Sequence, residues 1–297
     1  MATGGPVGSV AGLWRFPVKS MGGERLEEAE LTERGLVGDR AYALVDAETG
    51  KVVSAKSVKL FPALLGCQAA FVTPPRADGD LPPVAITLPD GTTVASDAGD
   101  ADRVLSAFFR RAVRLARMAT DNFTVDQYHP DVEGADPFGR RDTVVAQKLG
   151  AAFFADMGVP SPVPAGSFFD LFPVSVLTTS TLARLGELRP ESRFDERRFR
   201  MNVIVGSDGT GFVENGWIGC QLAVGDAVRL RATMPDPRCV MTTLAQEELP
   251  ADADVLRTLV RHNRVEIEGA GRFPCAGVYA VVEAPGTIRT GDGVALA

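Results

Sequence analysis

The stretch "MPDPRCVMTTL", Met234 to Leu244, sets Cys239 directly after Arg238, with Asp236 and Pro237 before it and Thr242 and Thr243 behind. An arginine beside a thiol favours the thiolate, the form that attacks electrophiles or binds a metal. Read from these residues alone, Cys239 can be a buried hydrophobe, half of a disulfide, a nucleophile or a metal ligand. The other cysteines, Cys67, Cys220 and Cys275, lie in apolar runs and read as core. No CxxC pair or zinc-type spacing occurs. His129 and His262 are the only histidines, which leaves little material for a Cys-His or Ser-His-Asp scheme.

Two further polar clusters interrupt apolar sequence. In "FPVKSMGG", Lys19 and Ser20 follow a strand-like run and precede paired glycines. An ammonium, a hydroxyl and free backbone N–H groups at such a turn suit an oxyanion, although P-loop spacing is absent; a solvated turn is the plainer alternative. In "RFDERRFRMNVIV", Arg193, Arg197, Arg198 and Arg200 are only partly offset by Asp195 and Glu196. If the segment is extended, Arg198, Arg200 and Asn202 share one strand face and form an anion-binding fork; otherwise the arginines pair with the neighbouring acids at the surface.

The elements that must position these groups read as mainly β. The 297 residues have ordinary globular composition, 45% hydrophobic and 23% charged. A net charge of -7 argues against general nucleic-acid binding. No secretory signal is visible, and no window approaches the ~18 apolar residues of a membrane span, so a soluble, cytoplasmic protein without membrane contact is expected. "AYALVDAETGKVVSA" reads as a hairpin, and "PVAITLPDGTTVA" as two strands around an Asp90–Gly91 turn. Residues 100–117 carry apolar residues at helical spacing and are expected to form one amphipathic helix with a largely solvated arginine face. A helical piece is expected near "TVVAQKLGAAFFADMG". "FPVSVLTTSTLARLGEL" reads as strand, Thr/Ser cap and helix, and "DADVLRTLVRHN" as a helix. The expected division is an N-terminal β-barrel-like unit over 1–120, a connecting segment over 121–165 and a second β-rich unit over 166–297.

Several of these blocks resemble a known family. "LWRFPVKSMGGERLEEAELTERGLVGDRAYALVD" is similar to the N-terminal β-barrel segment that accompanies MOSC domains. "RRFRMNVIV", "DPRCVMTT" and "CAGVYAVVEAPGTIRTGDGVAL" resemble successive blocks of the MOSC domain itself. The resemblance implies a mainly β fold with some α: an N-terminal β-barrel-like domain on a C-terminal MOSC β-barrel. It also implies molybdenum cofactor (Mo-molybdopterin), with Cys239 as the metal ligand and Arg238 beside the metal. Lys19, Ser20, Arg40, Arg198, Arg200, Asn202 and Thr242 would line the pterin and its phosphate. Thr178, Thr179 and Ser180, at a helix start, would offer hydroxyls and N–H groups to the anion. Asp236 joins Cys239 and Arg238 in the expected catalytic set.

The implied activity is reduction of small N-hydroxylated substrates. Some relatives carry a plant-type ferredoxin domain, but no Cys-x4-Cys-x2-Cys spacing occurs here. Electrons are therefore expected from a separate redox protein. Two alternatives stay open: a persulfide on Cys239 passed to an acceptor, and a non-enzymatic carrier of the cofactor.

Overall fold

In the computed structural model, which describes residues 4–120 and 122–297, seven strands close into a barrel. In order around it they are Val174–Thr178, Val203–Gly206, Gly5–Arg15, Gly293–Leu296, Gln221–Val224, Val228–Pro237 and Gly271–Ala284, the last pairing back onto the first. Alternation drives closure: Val228, Leu230 and Ala232 point inward with Val10, Leu13, Val176, Val203, Val278 and Ala280. Each large aliphatic side chain buried there contributes roughly 1.5–3 kcal/mol. Gly277 (φ +83°) is required where two strands crowd, because a Cβ would lie 2.3 Å from Met201 Cε and 2.6 Å from the Val176 carbonyl oxygen.

The strand Gly5–Arg15 pairs with Val203–Gly206 and Gly293–Leu296, so the chain's first strand is built into the C-terminal barrel. Residues 16–20 consequently emerge at that barrel's rim, facing the rest of the N-terminal half. That half contains the three-stranded sheet Gln68–Phe71, Val84–Thr87, Thr93–Ala95 and the ladder Ala43–Asp46 with Val113–Ala116, over a core of Leu44, Leu64, Ile86 and Leu105. The Asp90–Gly91 turn forms as expected, with Gly91 at φ +87°.

Two sequence expectations need correction. The helix expected over 100–117 spans only Ala101–Phe109; Arg110 turns left-handed (φ 51°), and Val113–Ala116 pairs with Ala43–Asp46. A long-range ladder has overridden local helical periodicity. The expected hairpin after Ala43 does form, with Asp46 N–H donating to the Lys51 carbonyl at 2.9 Å and Val53 N–H to that of Leu44 at 2.8 Å, on the edge opposite Val113–Ala116. The helical piece near residue 150 divides at Gly150 (φ +65°) into the strand Thr143–Lys148 and the helix Ala151–Asp156.

The strand–cap–helix reading is correct. Thr178 Oγ1 accepts from the Thr181 N–H at 3.2 Å and starts the helix Thr179–Leu188, and Asp254–His262 is helical as well. Among the described residues no helix is long and apolar enough to cross a membrane.

Candidate functional site

A cleft of about 200 Å³, open to solvent, lies where the two halves meet. It is lined by Lys19, Ser20, Arg40, Arg198, Arg200, Asn202, Asp236, Arg238, Cys239 and Thr242.

 Ten of the thirteen expected residues lie on the cleft wall; Thr178, Thr179 and Ser180 are the three that do not. Ser20 (φ 66°), Arg40 (φ 47°) and Arg200 (φ 56°) all hold left-handed backbone, which is uncommon for non-glycine residues and concentrates at functional sites.

Lys19 Nζ donates to the Phe168 carbonyl at 2.7 Å and pairs with Asp170, while Lys56 Nζ lies 2.8 Å from the other Asp170 oxygen. Burial pushes the Lys19 ammonium down to about 8, with Asp170 only partly offsetting it. Burial alone would raise Asp170, but the two lysines hold its carboxylate well below the usual range. Lys56 is raised: burial opposes its charge, but Asp170 and Cys239 beside it prevail.

Arg40 and Arg200 lie against one ring, their guanidinium carbons 4.5 and 4.3 Å from the centre of Phe16. Asp39, fully buried in its side chain, fixes this corner: it accepts from the Phe16 N–H at 2.7 Å, from Asn202 Nδ2 at 2.8 Å and from Arg40. Burial, with Arg40 nearby, pushes Arg200 down to about 9. On the opposite wall Arg238 pairs with Asp236 and donates to the Phe199 carbonyl. Burial pushes Asp236 up to about 6 despite Arg238, and burial next to Asp236 drives Tyr279 well above its ordinary value. Cys239 is half-buried at the mouth of the turn Val240–Thr243, and Thr242 Oγ1 donates back to the Cys239 carbonyl at 3.0 Å.

Two expected roles change. Residues 198–202 are not an extended face, since Glu196–Arg198 is a 3-10 turn, Arg200 is left-handed and the strand starts at Val203. Arg198 points its guanidinium to the carbonyls of Arg193, Thr242, Leu244 and Pro250, a structural clamp, whereas Arg200 and Asn202 meet the cleft corner. Thr178 and Thr181 hydroxyls donate to buried Glu214 at 2.6 and 2.7 Å, and Ser180 Oγ donates to the Gly211 carbonyl at 3.0 Å. A carboxylate therefore already occupies the helix start expected to hold the anion. Of the cysteines read as core, Cys67 and Cys275 are buried and Cys220 is half-buried.

Sequence reasoning missed Lys56, Asp170 and Tyr279, and it took 121–165 as a connector. Within that segment the strands Thr124–His129 and Thr143–Lys148 form a hairpin, which supplies Gln127, His129, Asp136, Arg140 and Gln147 to the cleft. The charge of Asp170 inside the apolar run "FFDLF" was the available signal.

The six cations Lys19, Lys56, Arg40, Arg140, Arg200 and Arg238 outnumber four carboxylates, Asp39 beneath Arg40 and Asp136, Asp170 and Asp236 on the wall, so the cleft suits an anion. Arg238 Nε and Asp236 Oδ1 are buried without partners among the described residues. Nor, among the described residues, do three His, Cys, Asp or Glu side chains gather to hold a bare metal ion. A metal at Cys239 must bring other donors with it, and a soft thiolate beside cations fits a metal carried on an anionic sulfur ligand.

Comparison with known proteins matches residues 7–112 to the MOSC N-terminal beta barrel domain and residues 165–295 to the MOSC domain. Mitochondrial amidoxime-reducing component 1 of Mus musculus is 28% identical, over 98% of this chain and 82% of that protein. Its Homo sapiens counterpart is 26% identical over 98% and 83%, and Mitochondrial amidoxime reducing component 2 of Homo sapiens 27% identical over 97% and 83%.

Proposed function

Because the chain belongs to the MOSC-domain proteins and carries the family's N-terminal beta barrel domain, we propose that it binds molybdenum cofactor at this cleft and reduces N-hydroxylated compounds. The observation that carries the reading is the placement of one half-buried thiol, Cys239, on the wall of a cleft with surplus positive charge. Similarity to proteins named as amidoxime-reducing components supports the substrate class.

Cys239 would hold the metal, with Arg238 beside it. Lys19, Lys56, Arg40 and Arg200 would hold the phosphate and pterin, with Ser20 and Asn202 at the same corner. The bound cofactor supplies two-electron chemistry, with electrons from a separate redox protein. Two electrons and two protons convert N–OH to N–H and water. The chain's own work is to fix the anion, orient the substrate and limit water. Asp39 and Asp170 act indirectly, by locking the cationic side chains into place before the ligand arrives.

The test is reconstitution with molybdenum cofactor and a chemical reductant, followed by assay on benzamidoxime. Sustained conversion to benzamidine supports the reading; a metal-replete protein that never reduces it overturns the reading. A labelled persulfide on Cys239 in metal-free protein would favour sulfur transfer instead.

A further inference from the structure

One wall of the cleft lies outside both family domains. The strands Thr124–His129 and Thr143–Lys148 fall between residues 112 and 165, and their inward face presents Gln127, Gln147 and His129. The hairpin is fixed at its base, where Val52 N–H donates to the Thr124 carbonyl at 2.9 Å and Tyr128 N–H to that of Lys56 at 3.0 Å. Its tip reaches the C-terminal barrel: a Cβ on Gly134 would lie 3.2 Å from Val260 Cγ1, and one on Gly271 3.1 Å from Pro137 Cβ. The strap therefore spans the cleft from one half to the other.

His129 is the residue of this wall without a structural explanation. It is only 6% exposed, lines the cleft, and its Nε2 is buried with no partner among the described residues. Such an atom forfeits hydrogen bonding unless something in the cleft supplies it. Its other nitrogen, Nδ1, faces Asp136 Oδ1 at 3.6 Å, and Asp136 is itself gripped by Arg140 through Nε at 3.0 Å and Nη2 at 2.8 Å. That separation is longer than a hydrogen bond, but the fixed negative charge opposite Nδ1 favours the neutral ring's proton there, leaving Nε2 as an acceptor. Burial, with Arg140 nearby, lowers the tendency of His129 to take a second proton.

We propose that His129 is a substrate-binding residue whose Nε2 accepts a hydrogen bond from the N–H or O–H of an N-hydroxylated substrate. The inference rests on the function proposed above and narrows it: the site favours substrates that carry a hydrogen on the reacting group, such as amidoximes, over tertiary amine N-oxides, which carry none.

The test combines kinetics with a binding measurement. His129→Phe keeps a flat ring but removes the acceptor; His129→Gln restores a carbonyl acceptor. With benzamidoxime and a chemical reductant, His129→Phe should raise KM about tenfold, the worth of one hydrogen bond, with kcat and molybdenum content little changed. His129→Gln should recover part of the loss. In nitrogen-15 spectra of the wild-type protein, which has only His129 and His262, benzamidoxime should shift one imidazole Nε2, and N,N-dimethylaniline N-oxide should not. An unchanged KM in a folded His129→Phe, or no imidazole shift at saturating benzamidoxime, overturns the inference while leaving the reductase reading intact. A wild-type protein that holds molybdenum but reduces nothing overturns both.

Discussion

Arg40 reaches across the boundary between the two halves of the molecule and donates from Nη2 to the carbonyl of Arg200 at 2.9 Å. Both residues hold left-handed backbone, and both guanidinium groups rest on Phe16. The pair joins the rim of the barrel to the N-terminal half and presents two fixed positive charges to the cleft. Like charges this close are tolerated because Asp39 lies beneath them, and an anionic ligand would relieve the remainder.

Removing one member should separate binding from folding. Arg200→Ala deprives the Met21 carbonyl of its donor and should cost about 1–3 kcal/mol of stability. Cofactor retained per folded chain should fall by about tenfold or more, since a cation facing the cleft is lost with it. Arg200→Lys, which keeps charge without the fork, should fall between. The checks are a denaturant titration and molybdenum content after gel filtration.

Anion affinity should depend on pH through Lys19. Burial lowers its folded value to about 8 from 10.5, so its contribution to stability is present above 10.5 and lost as pH falls through about 8. The charge useful for binding has the opposite trend: it is present below about 8 and lost above. Sulfate, whose own charge is constant in this range, should bind protein made without cofactor about tenfold more weakly at pH 9.5 than at pH 7. Lys19→Arg should reduce the dependence, leaving the part contributed by Arg200, which burial lowers to about 9. Isothermal calorimetry at the two pH values checks both statements.

Thr178 should prove structural. Its hydroxyl donates to Glu214, a side chain with no exposure whose carboxyl is raised by burial despite the bonds from Thr178 and Thr181. Thr178→Val should therefore lower stability by about 1–3 kcal/mol, through a lost helix cap and an under-satisfied acid. Molybdenum per folded chain should stay unchanged. A drop in cofactor content without a drop in Tm would return the helix start to the binding site.

The contrast between Arg198 and Arg200 shows how far the sequence could be read. The Cys239 block, the Lys19–Ser20 turn and the Thr178 cap are local patterns and were legible as such. The arginine pair was legible in composition but not in direction. Extended parity would turn both to one side, whereas the 3-10 turn and the left-handed Arg200 send Arg198 to four carbonyls in a loop. Lys19 and Asp170 are 151 residues apart, and no local periodicity marks such a pair. The hairpin wall was hidden for a related reason. Its strands are half-exposed and polar, so they lack the apolar alternation that identifies a buried strand.

The central claim is that Cys239 contributes one sulfur to a cofactor-borne molybdenum. The most direct measurement is molybdenum content together with the X-ray absorption sulfur count, on wild-type protein and Cys239→Ser from a cofactor-competent host. The account expects about one molybdenum per chain with three sulfur neighbours in the wild type, two from the dithiolene and one from Cys239. The variant should show two sulfurs, or lose the metal. A wild type without molybdenum, or the same sulfur count in both proteins, would contradict it.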